Sequence, residues 1–249
     1  LDLKDAYYLI AIHPNYRKFL RFQVDGKLYK FTCLPFGLCT APYVFTKIMR
    51  PGVSFLRQLG FQSIVYLDDF LPIGRTMSQC ITNVALTCAI LSFLVFLFSW
   101  RKCRFPPSHH CQFIGFDFNS IAMTMSLPPE KRNKIFSLVQ KITAKDSCSI
   151  QQFSHFIGSL VSACPAVDCG WAYTKNFERN KHLALLRQKG NYRARMRVPS
   201  RKVEFHWWST NVLTSSVSLQ TSPFAMEIFS DASLVGWGAS CEGRTARGS

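Results

Sequence analysis

Two segments within the first 31 residues alternate hydrophobic and polar residues, which is the pattern of β-strands. Residues 19–24 and 28–31 flank the dipeptide Asp25-Gly26, which favours a two-residue hairpin turn. Apolar residues then recur with a helical period over residues 41–59. We expect the core-facing side of this helix to carry Val44, Phe45, Ile48 and Met49.

Helical periodicity returns in the second half of the chain, over residues 128–161. The proline pair at 128–129 favours a helix start. Ser149 begins a second predicted helix. The apolar faces of these two helices would be formed by Ile135, Leu138, Val139 and Ile142, and by Phe153, Phe156, Ile157 and Leu160.

Two adjacent carboxylates, Asp68 and Asp69, interrupt a run of strand-forming residues. Apolar arms at 63–65 and 70–71 place them in a tight turn between two strands. Like charges held together repel, and a divalent cation relieves that repulsion because hard cations prefer carboxylate oxygens. A solvated hairpin turn is the alternative interpretation of the pair alone. A third carboxylate in similar surroundings, Asp2, favours a two-metal phosphoryl-transfer site.

The chain is strongly basic, with 30 Lys and Arg against 14 Asp and Glu and a formal net charge of +16. This excess favours a nucleic-acid partner, because neutralising phosphates releases counterions. Residues 187–202 interleave basic and aromatic side chains, a pattern that suits a phosphate backbone with occasional base stacking. A solvated basic surface is the alternative. The candidate binding residues are Arg193, Arg195, Arg197, Arg201 and Lys202.

The ten cysteines are irregularly spaced and include no C-x-x-C pair. Free thiols in a reducing compartment are the simplest interpretation, so we expect an intracellular protein of the cytoplasm or nucleus. The segment from Cys103 to Cys111 includes two histidines but lacks the usual spacing of zinc ligands.

The run from Cys80 to Trp100 has no charged residue and is long enough to cross a bilayer. Polar residues interrupt it, and a buried helix followed by a strand explains the run better than a membrane span. We therefore expect no membrane partner.

Three segments resemble, in order and spacing, the central palm motifs of retroelement reverse transcriptases. They are LDLKDAYYLIAIHP at 1–14, LPFGLCTAPYVFTKIM at 34–49 and VYLDDFL at 65–71. The second is more similar to the long-terminal-repeat and DIRS-type retrotransposon form than to the retroviral one. Farther along, Phe113, Ile114, Gly115 and Phe116 resemble the primer-grip hairpin, and Asp231 resembles the first carboxylate of a retroelement ribonuclease H.

The resemblance implies an α+β fold. It comprises a right-hand polymerase palm, with a mainly antiparallel sheet and helices on one face, then a helical connection and the start of a ribonuclease H-like α/β domain. The implied boundaries are 1–125 for the palm, 126–223 for the thumb or connection, and 224–249 for the ribonuclease H start. We expect finger sequences to precede Leu1 and further ribonuclease H carboxylates to follow Ser249, so that the chain is a fragment.

The resemblance also implies the chemistry, which is RNA-directed DNA synthesis. A primer on an RNA or DNA template would be extended with deoxynucleoside triphosphates. Asp2, Asp68 and Asp69 would hold two Mg²⁺ or Mn²⁺ ions, and Lys102 would protonate the pyrophosphate leaving group.

The nucleotide-binding residues implied by the resemblance are Tyr7, Pro35, Phe36 and Gly37. Tyr7 stands five residues after Asp2, where the family places an aromatic ring that excludes a 2′-hydroxyl. The alternative for Tyr7 is a core aromatic. The other three would form the floor beneath the nucleotide and template base.

Two positions depart from the family pattern. Pro72 lies in a predicted strand although proline cannot donate to a sheet ladder. Val95 stands where the family often has glycine in a turn, so we expect a strained turn there.

Two other functions remain open from the sequence. A truncated relic would at most bind nucleic acid, and an RNA-dependent RNA polymerase would use ribonucleotides. Tyr7, the aromatic residue of the first motif, and the Y-x-D-D form of the third motif disfavour the RNA-dependent RNA polymerase. An integrase or tyrosine recombinase of the same element is a further expected partner.

Overall fold

The computed structural model describes residues 1–199, 203–220, 226–233 and 235–248. The chain divides into two compact units, Leu1–Phe118 and Asn119–Ser249. Each contains helices and antiparallel strand pairs, which confirms the predicted α+β class.

The elements of the first half of the chain begin with short strands and end with a hairpin. The strands are β1 (Leu3–Lys4), β2 (Arg21–Val24), β3 (Lys27–Lys30), β4 (Gln62–Tyr66), β5 (Asp69–Ile73), β6 (Leu97–Phe98), β7 (His110–Phe113) and β8 (Phe116–Asn119). The α-helices are α1 (Ala41–Gln58) and α2 (Met77–Phe93), and 3-10 helices span Ala6–Leu9 and Pro14–Phe19.

Both hairpins predicted in this region are confirmed. β2 pairs with β3 around Asp25 and Gly26, whose φ angles of 48° and 76° are those that a tight hairpin turn requires. β4 pairs with β5 around the acidic turn.

A small antiparallel sheet carries its core on one face. β1 pairs with β6, and an isolated bridge between Asp2 and Asp69 joins this pair to the β4–β5 hairpin. Leu3, Phe70 and Phe98 are buried in the same hydrophobic cluster. Because side chains alternate along a strand, residues next to these in sequence lie on the opposite face.

The two helices cover that core. α1 packs on α2 and β4, and α2 packs on β5. The buried side of α1 carries Ala41, Phe45, Met49, Val53 and Leu56. Ile48, expected on this side, is 44% exposed, so that assignment was wrong. The buried residues recur every three or four positions, and Ile48 lies about 100° around the helix from Met49.

The uncharged run from Cys80 to Trp100 forms most of α2, a turn and β6. Its polar residue Asn83 is fully buried and donates to the carbonyls of Gln62 (2.7 Å) and Ile73 (3.0 Å), at the open end of the β4–β5 hairpin. Thr87 donates to the Asn83 side-chain oxygen at 3.2 Å. Among the described residues, no helix is both long and apolar enough to cross a membrane.

Pro72 is accommodated by the alternation of the β-ladder. It lies opposite Ser63. The backbone N–H of Phe70, two residues earlier, points away from β4 and donates to Leu1. The backbone nitrogen of Pro72 also points away from β4, because orientation repeats every two residues along a strand. Its lack of an N–H therefore removes no hydrogen bond within the hairpin.

The second unit is mainly helical up to residue 211. Its elements are β9 (Thr124–Ser126), α3 (Pro129–Thr143), β10 (Ser147–Ser149), α4 (Ile150–Val161), 3-10 helices Cys164–Ala166 and Ala172–Thr174, α5 (Lys175–Arg187), β11 (Arg195–Arg197), α6 (Val203–Asn211), β12 (Ser216–Ser218), β13 (Phe229–Ala232), β14 (Trp237–Cys241) and β15 (Arg244–Gly248).

Aromatic packing holds the helices of this unit together. The rings of Phe153 and Phe156 on α4 contact Phe177 on α5, which in turn lies 4.7 Å from Phe205 on α6. Ser149 caps α4 in a capping box with Gln152, as its position before the predicted helix indicated. The predicted apolar face of α4 is therefore confirmed.

The strained turn expected at Val95 is present, with φ at 67°. A β-branched residue with positive φ is an outlier that costs about 1–3 kcal/mol. The Val95 side chain is 71% exposed, so its removal takes away little buried apolar surface. Val95→Gly should therefore raise the free energy of unfolding by about 1 kcal/mol, measured by urea denaturation.

The matched control for this substitution is Val24→Gly. Val24 lies in strand β2, where glycine should lower stability. A Val95→Gly protein no more stable than the unmodified chain would contradict a strained turn.

Candidate active site

Strand pairing brings the three predicted acidic residues together. Asp2 immediately precedes β1 and lies directly across from Asp69 at the start of β5. Two bonds frame this pair, Leu3 N–H to the Asp68 carbonyl at 3.1 Å and Phe70 N–H to the Leu1 carbonyl at 2.8 Å. Residues in such a non-hydrogen-bonded antiparallel pair approach each other closely and share a face of the sheet.

The alternation of the strands points these carboxylates away from the core. Leu3 and Phe70, which neighbour Asp2 and Asp69, are both buried beneath the sheet. The two acids therefore lie on the opposite face, where each is half-buried. Tyr66, across from Asp69, lies on the same face and is exposed.

Asp68 lies in the two-residue turn that joins β4 to β5. Its neighbour in the turn, Leu67, has φ at 54°, a conformation that leucine rarely adopts. The Leu67 side chain is half-buried and packs against the core cluster. This packing holds the strained turn, and with it Asp68, beside the Asp2–Asp69 pair.

The acids repel one another. The pKa of Asp69 is raised above the usual carboxyl range by burial and then by the charges of Asp68 and Asp2. The ammonium of Lys102 acts in the opposite direction. Lys102 lies 3.7 Å from Asp2 Oδ2, with a largely exposed side chain. Negative charge therefore accumulates on this face with only partial compensation.

Three mutually repelling carboxylates are a donor set that fits hard divalent cations. Within the described part of the chain, however, no group of three or more His, Cys, Asp or Glu side chains already has the geometry of a metal site. This holds also for the segment Cys103–Cys111, which was considered for zinc. The fit of the acids to Mg²⁺ or Mn²⁺ therefore rests on their chemistry and mutual repulsion.

Tyr7 lies in the core beside the acids. It is only 5% exposed, and its ring lies 4.8 Å from that of Phe45 and 4.9 Å from that of Phe36. Burial, then the charge of Asp68, raises the pKa of Tyr7, so its hydroxyl is neutral at physiological pH. The structure places Tyr7 in the core, and its role in excluding a 2′-hydroxyl stays a prediction.

The segment Pro35–Gly37 brings a mostly exposed aromatic ring next to Tyr7. Phe36 is 56% exposed and packs edge-on against Tyr8, whereas Pro35 is buried. Gly37 has φ at 86°, and no atom lies within 4 Å of where a Cβ would stand. The positive φ is therefore what requires glycine at this position. Close approach of other described atoms of the protein does not require it.

The predicted primer-grip residues form a hairpin turn. Phe113 ends β7 and Phe116 begins β8. Ile114 and Gly115 occupy the turn between them, with φ at 49° and 73°. Phe113 is buried, whereas Ile114 is exposed.

The predicted nucleic-acid-binding and ribonuclease H residues lie in the second unit. In β11, Arg195 and Arg197 flank the buried Met196 and are exposed on one face of the strand, and Arg193 is exposed before it. Arg195 donates to the hydroxyl and the carbonyl of Ser147. Arg201 and Lys202 lie outside the described residues.

Asp231 is exposed in β13, the first strand of an antiparallel sheet with order β13-β14-β15. It pairs with Gly238 in β14, and its carboxylate accepts a bond from the N–H of Ala232 at 2.8 Å.

The sequence interpretation missed one residue that supports the site. Phe45 was assigned only to the core-facing side of α1, yet its fully buried ring stacks on Tyr7. The helical spacing of the apolar residues correctly predicted that Phe45 is buried. No sequence pattern shows which aromatic ring lies beneath another.

Residues 1–118 match the family model described as reverse transcriptase (RNA-dependent DNA polymerase). Residues 1–118 are therefore similar to reverse transcriptase domains. The family is one of nucleotidyltransferases.

The relatives of this domain are retroelement and viral polyproteins. The chain is 29% identical over 117 residues to the genome polyprotein of Petunia vein clearing virus, a stretch that is 47% of this chain and 5% of that protein. It is 25% identical over 124 residues to the transposon Tf2-3 polyprotein of Schizosaccharomyces pombe, 50% of this chain and 9% of that protein. The chain thus spans less than a tenth of these curated relatives.

Solved structures of a foamy viral protease-reverse transcriptase share the fold. In complex with an RNA/DNA hybrid, that protein matches with a TM-score of 0.67 at 17% identity, covering 99% of this chain and 32% of the other. In complex with double-stranded DNA, it matches with a TM-score of 0.65 at 17% identity, covering 99% and 50%. The predicted polymerase fold is therefore confirmed.

The raised pKa of Asp69 has a consequence for stability. A carboxyl whose pKa is higher in the folded state stabilises the fold below its unfolded pKa, and this contribution is lost as pH rises through the folded pKa. At pH 7 without divalent cations, Asp69→Asn should therefore increase the free energy of unfolding, on the order of 0.5 kcal/mol. The gain should vanish near pH 3, as urea unfolding in chelator will show.

Asp25→Asn is the control, because it removes an equal charge from an exposed turn of this basic protein. Equal effects of the two substitutions at pH 7 would show that net charge, and not repulsion within the acidic face, is responsible.

Proposed function

We propose that this chain is the polymerase part of a retrotransposon RNA-directed DNA polymerase, of the DIRS type or a related long-terminal-repeat-like element. It extends a primer on an RNA or DNA template with deoxynucleoside triphosphates. The observation that carries the proposal is the placement of Asp2 across from Asp69, with Asp68 in the adjoining turn. The relatives' polyproteins and the nucleic acids bound by the foamy viral enzyme support it.

The carboxylates carry out nucleotidyl transfer with two divalent ions. Asp2 and Asp68 are the main ligands of Mg²⁺ or Mn²⁺, and Asp69 assists from across the strand pair. When bound, such ions would supply positive charge that stabilises the attacking and leaving oxygens of an in-line displacement at the α-phosphorus. Burial and then the charges of Asp68 and Asp2 raise the pKa of Asp69, and a bound cation would relieve the repulsion between these charges.

Lys102 acts on the leaving-group side of this site. Its ammonium lies 3.7 Å from Asp2 Oδ2, and its side chain is largely exposed. A cation at this position stabilises the charge that develops on the leaving oxygen and can transfer a proton to it.

The basic strand β11 and the hairpin around Ile114 contact the primer and template. Arg193, Arg195 and Arg197 present exposed positive charge that suits a phosphate backbone. The exposed turn between β7 and β8 holds the primer end near the acids.

The three-stranded sheet β13-β14-β15 is the start of a ribonuclease H-like domain. Asp231 is its first metal-binding carboxylate.

The proposal predicts that Asp68→Asn abolishes synthesis but not binding. The natural full-length protein that contains this chain should extend a DNA primer on an RNA template with Mg²⁺. The variant should lose at least roughly a hundredfold in rate, because a ligand of the catalytic ions is removed. Its affinity for the primer–template, measured by fluorescence anisotropy, should be unchanged.

Asp25→Asn, in an exposed turn, should leave extension unaltered. Wild-type extension rates in the Asp68→Asn protein would refute the assigned role of the acids.

The position of Tyr7 predicts a role in sugar selection. Tyr7→Val should admit ribonucleotides, lowering the ratio of kcat/KM for deoxynucleotide over ribonucleotide by roughly 10–100-fold, since the ring no longer fills the space of the 2′-hydroxyl. Tyr7→Phe retains the ring that stacks on Phe45 and should retain discrimination.

Both variants are tested in single-nucleotide extension after circular dichroism has shown that they fold. A folded, active Tyr7→Val protein with unaltered discrimination would assign Tyr7 to core packing alone.

A further inference from the structure

The backbone of Asp2 lies where the ladder between β1 and β6 stops. The register Leu3 opposite Phe98 and Lys4 opposite Leu97 brings Asp2 opposite Ser99. The Ser99 N–H donates to the Asp2 carbonyl at 2.8 Å. In a regular antiparallel pair the Asp2 N–H would return a bond to the Ser99 carbonyl.

That return bond is replaced by another. The chain turns after β6, and the Ser99 carbonyl accepts the backbone N–H groups of Lys102 at 2.8 Å and Cys103 at 3.1 Å. The Asp2 N–H instead donates to the sulfur of Cys103 at 3.2 Å. The same thiol lies 3.5 Å from the Asp2 carbonyl and can donate to it.

We propose that Cys103 is a positioning residue for Asp2, holding the backbone of this carboxylate so that its side chain faces Asp69. The inference rests on the proposed function, because Asp2 acts there as a metal ligand. The thiol provides an acceptor for the Asp2 N–H, which is the group that the interrupted ladder leaves without a partner. It also offers a second donor to the Asp2 carbonyl, which already accepts the Ser99 N–H.

On the side that faces β6, few other contacts hold the backbone of Asp2 in place. β1 is only two residues long, and Asp2 lies just outside it. The turn that follows β6 contacts Asp2 at three points, through the Ser99 N–H, the Cys103 thiol and the Lys102 ammonium. Loss of the thiol leaves a partly buried N–H without its acceptor, and such a group is costly.

The experiment compares three variants of the full-length natural protein. Cys103→Ala removes the acceptor, and Cys103→Ser keeps a group that can both accept and donate. Cys88→Ala is the matched control, because Cys88 is a half-buried thiol on α2 that packs against the same core cluster but not on Asp2. Thermal unfolding of all three shows how far each change acts on stability alone.

The first measurement is Mn²⁺ binding by electron paramagnetic resonance, with a chain-terminated primer–template and the next deoxynucleotide present. Cys103→Ala should bind Mn²⁺ about tenfold more weakly, in line with the loss of a partner that orients a metal ligand. Cys103→Ser should recover most of the affinity, and Cys88→Ala should match the unmodified protein. Equal affinity in Cys103→Ala and the unmodified protein would overturn the proposal.

The second measurement does not depend on catalysis. Hydrogen exchange at the Asp2 amide, followed by NMR with ¹⁵N-aspartate, should accelerate about tenfold or more in Cys103→Ala and not in Cys88→Ala. If exchange accelerates in Cys103→Ala but the unmodified protein neither binds Mn²⁺ nor extends a primer, the hydrogen bond to Cys103 is supported and the proposed function is contradicted. Unaltered exchange in Cys103→Ala would contradict the bond itself.

Discussion

The antiparallel pairing of Asp2 with Asp69 is the interaction on which the site depends. Two backbone hydrogen bonds, from Leu3 to Asp68 and from Phe70 to Leu1, set the register between β1 and β5. A shift of one residue would turn the carboxylates toward the core and their apolar neighbours toward solvent. The burial of Leu3 and Phe70 opposes such a shift, so the hydrophobic core on one face of the sheet fixes the acidic face on the other.

The same arrangement brings charge repulsion and backbone strain together at one site. Asp2 and Asp69 share a half-buried face, and the adjoining turn that carries Asp68 requires a positive φ from Leu67. Packing of Leu67, Val65 and Tyr7 against the core cluster holds this turn. Strain and repulsion of this kind concentrate at functional sites, and a bound divalent cation would relieve the repulsion.

The sequence allowed the main elements and the three acids to be predicted, because each depends on local pattern. Asp25-Gly26 indicated its hairpin and Ser149 its helix start, through turn and capping chemistry that involves a few adjacent residues. Bonds between distant segments were not predictable. The contact of Cys103 with Asp2 joins residues 101 positions apart, and it arises because the ladder stops at a turn whose geometry no local pattern shows.

Exposure was also harder to predict than element type. Ile48 belongs to an apolar helix segment yet lies at the margin of its buried face. Asn83 and Thr87 interrupt an apolar run yet are fully buried, because Asn83 satisfies two strand carbonyls at the end of the hairpin. In both cases the outcome is decided by which neighbour the helix packs on, and this is a property of the fold and not of the segment.

The central claim is that these acids bind the catalytic ions, and anomalous diffraction tests it most directly. Crystals of the full-length protein with a chain-terminated primer–template, the next deoxynucleotide and Mn²⁺ should show manganese peaks within about 2.0–2.3 Å of carboxylate oxygens of Asp2 and Asp68, as expected for small hard cations. Asp69 should lie beside them, across from Asp2. A correctly paired primer and nucleotide with manganese absent from Asp2 and Asp68 would contradict the account.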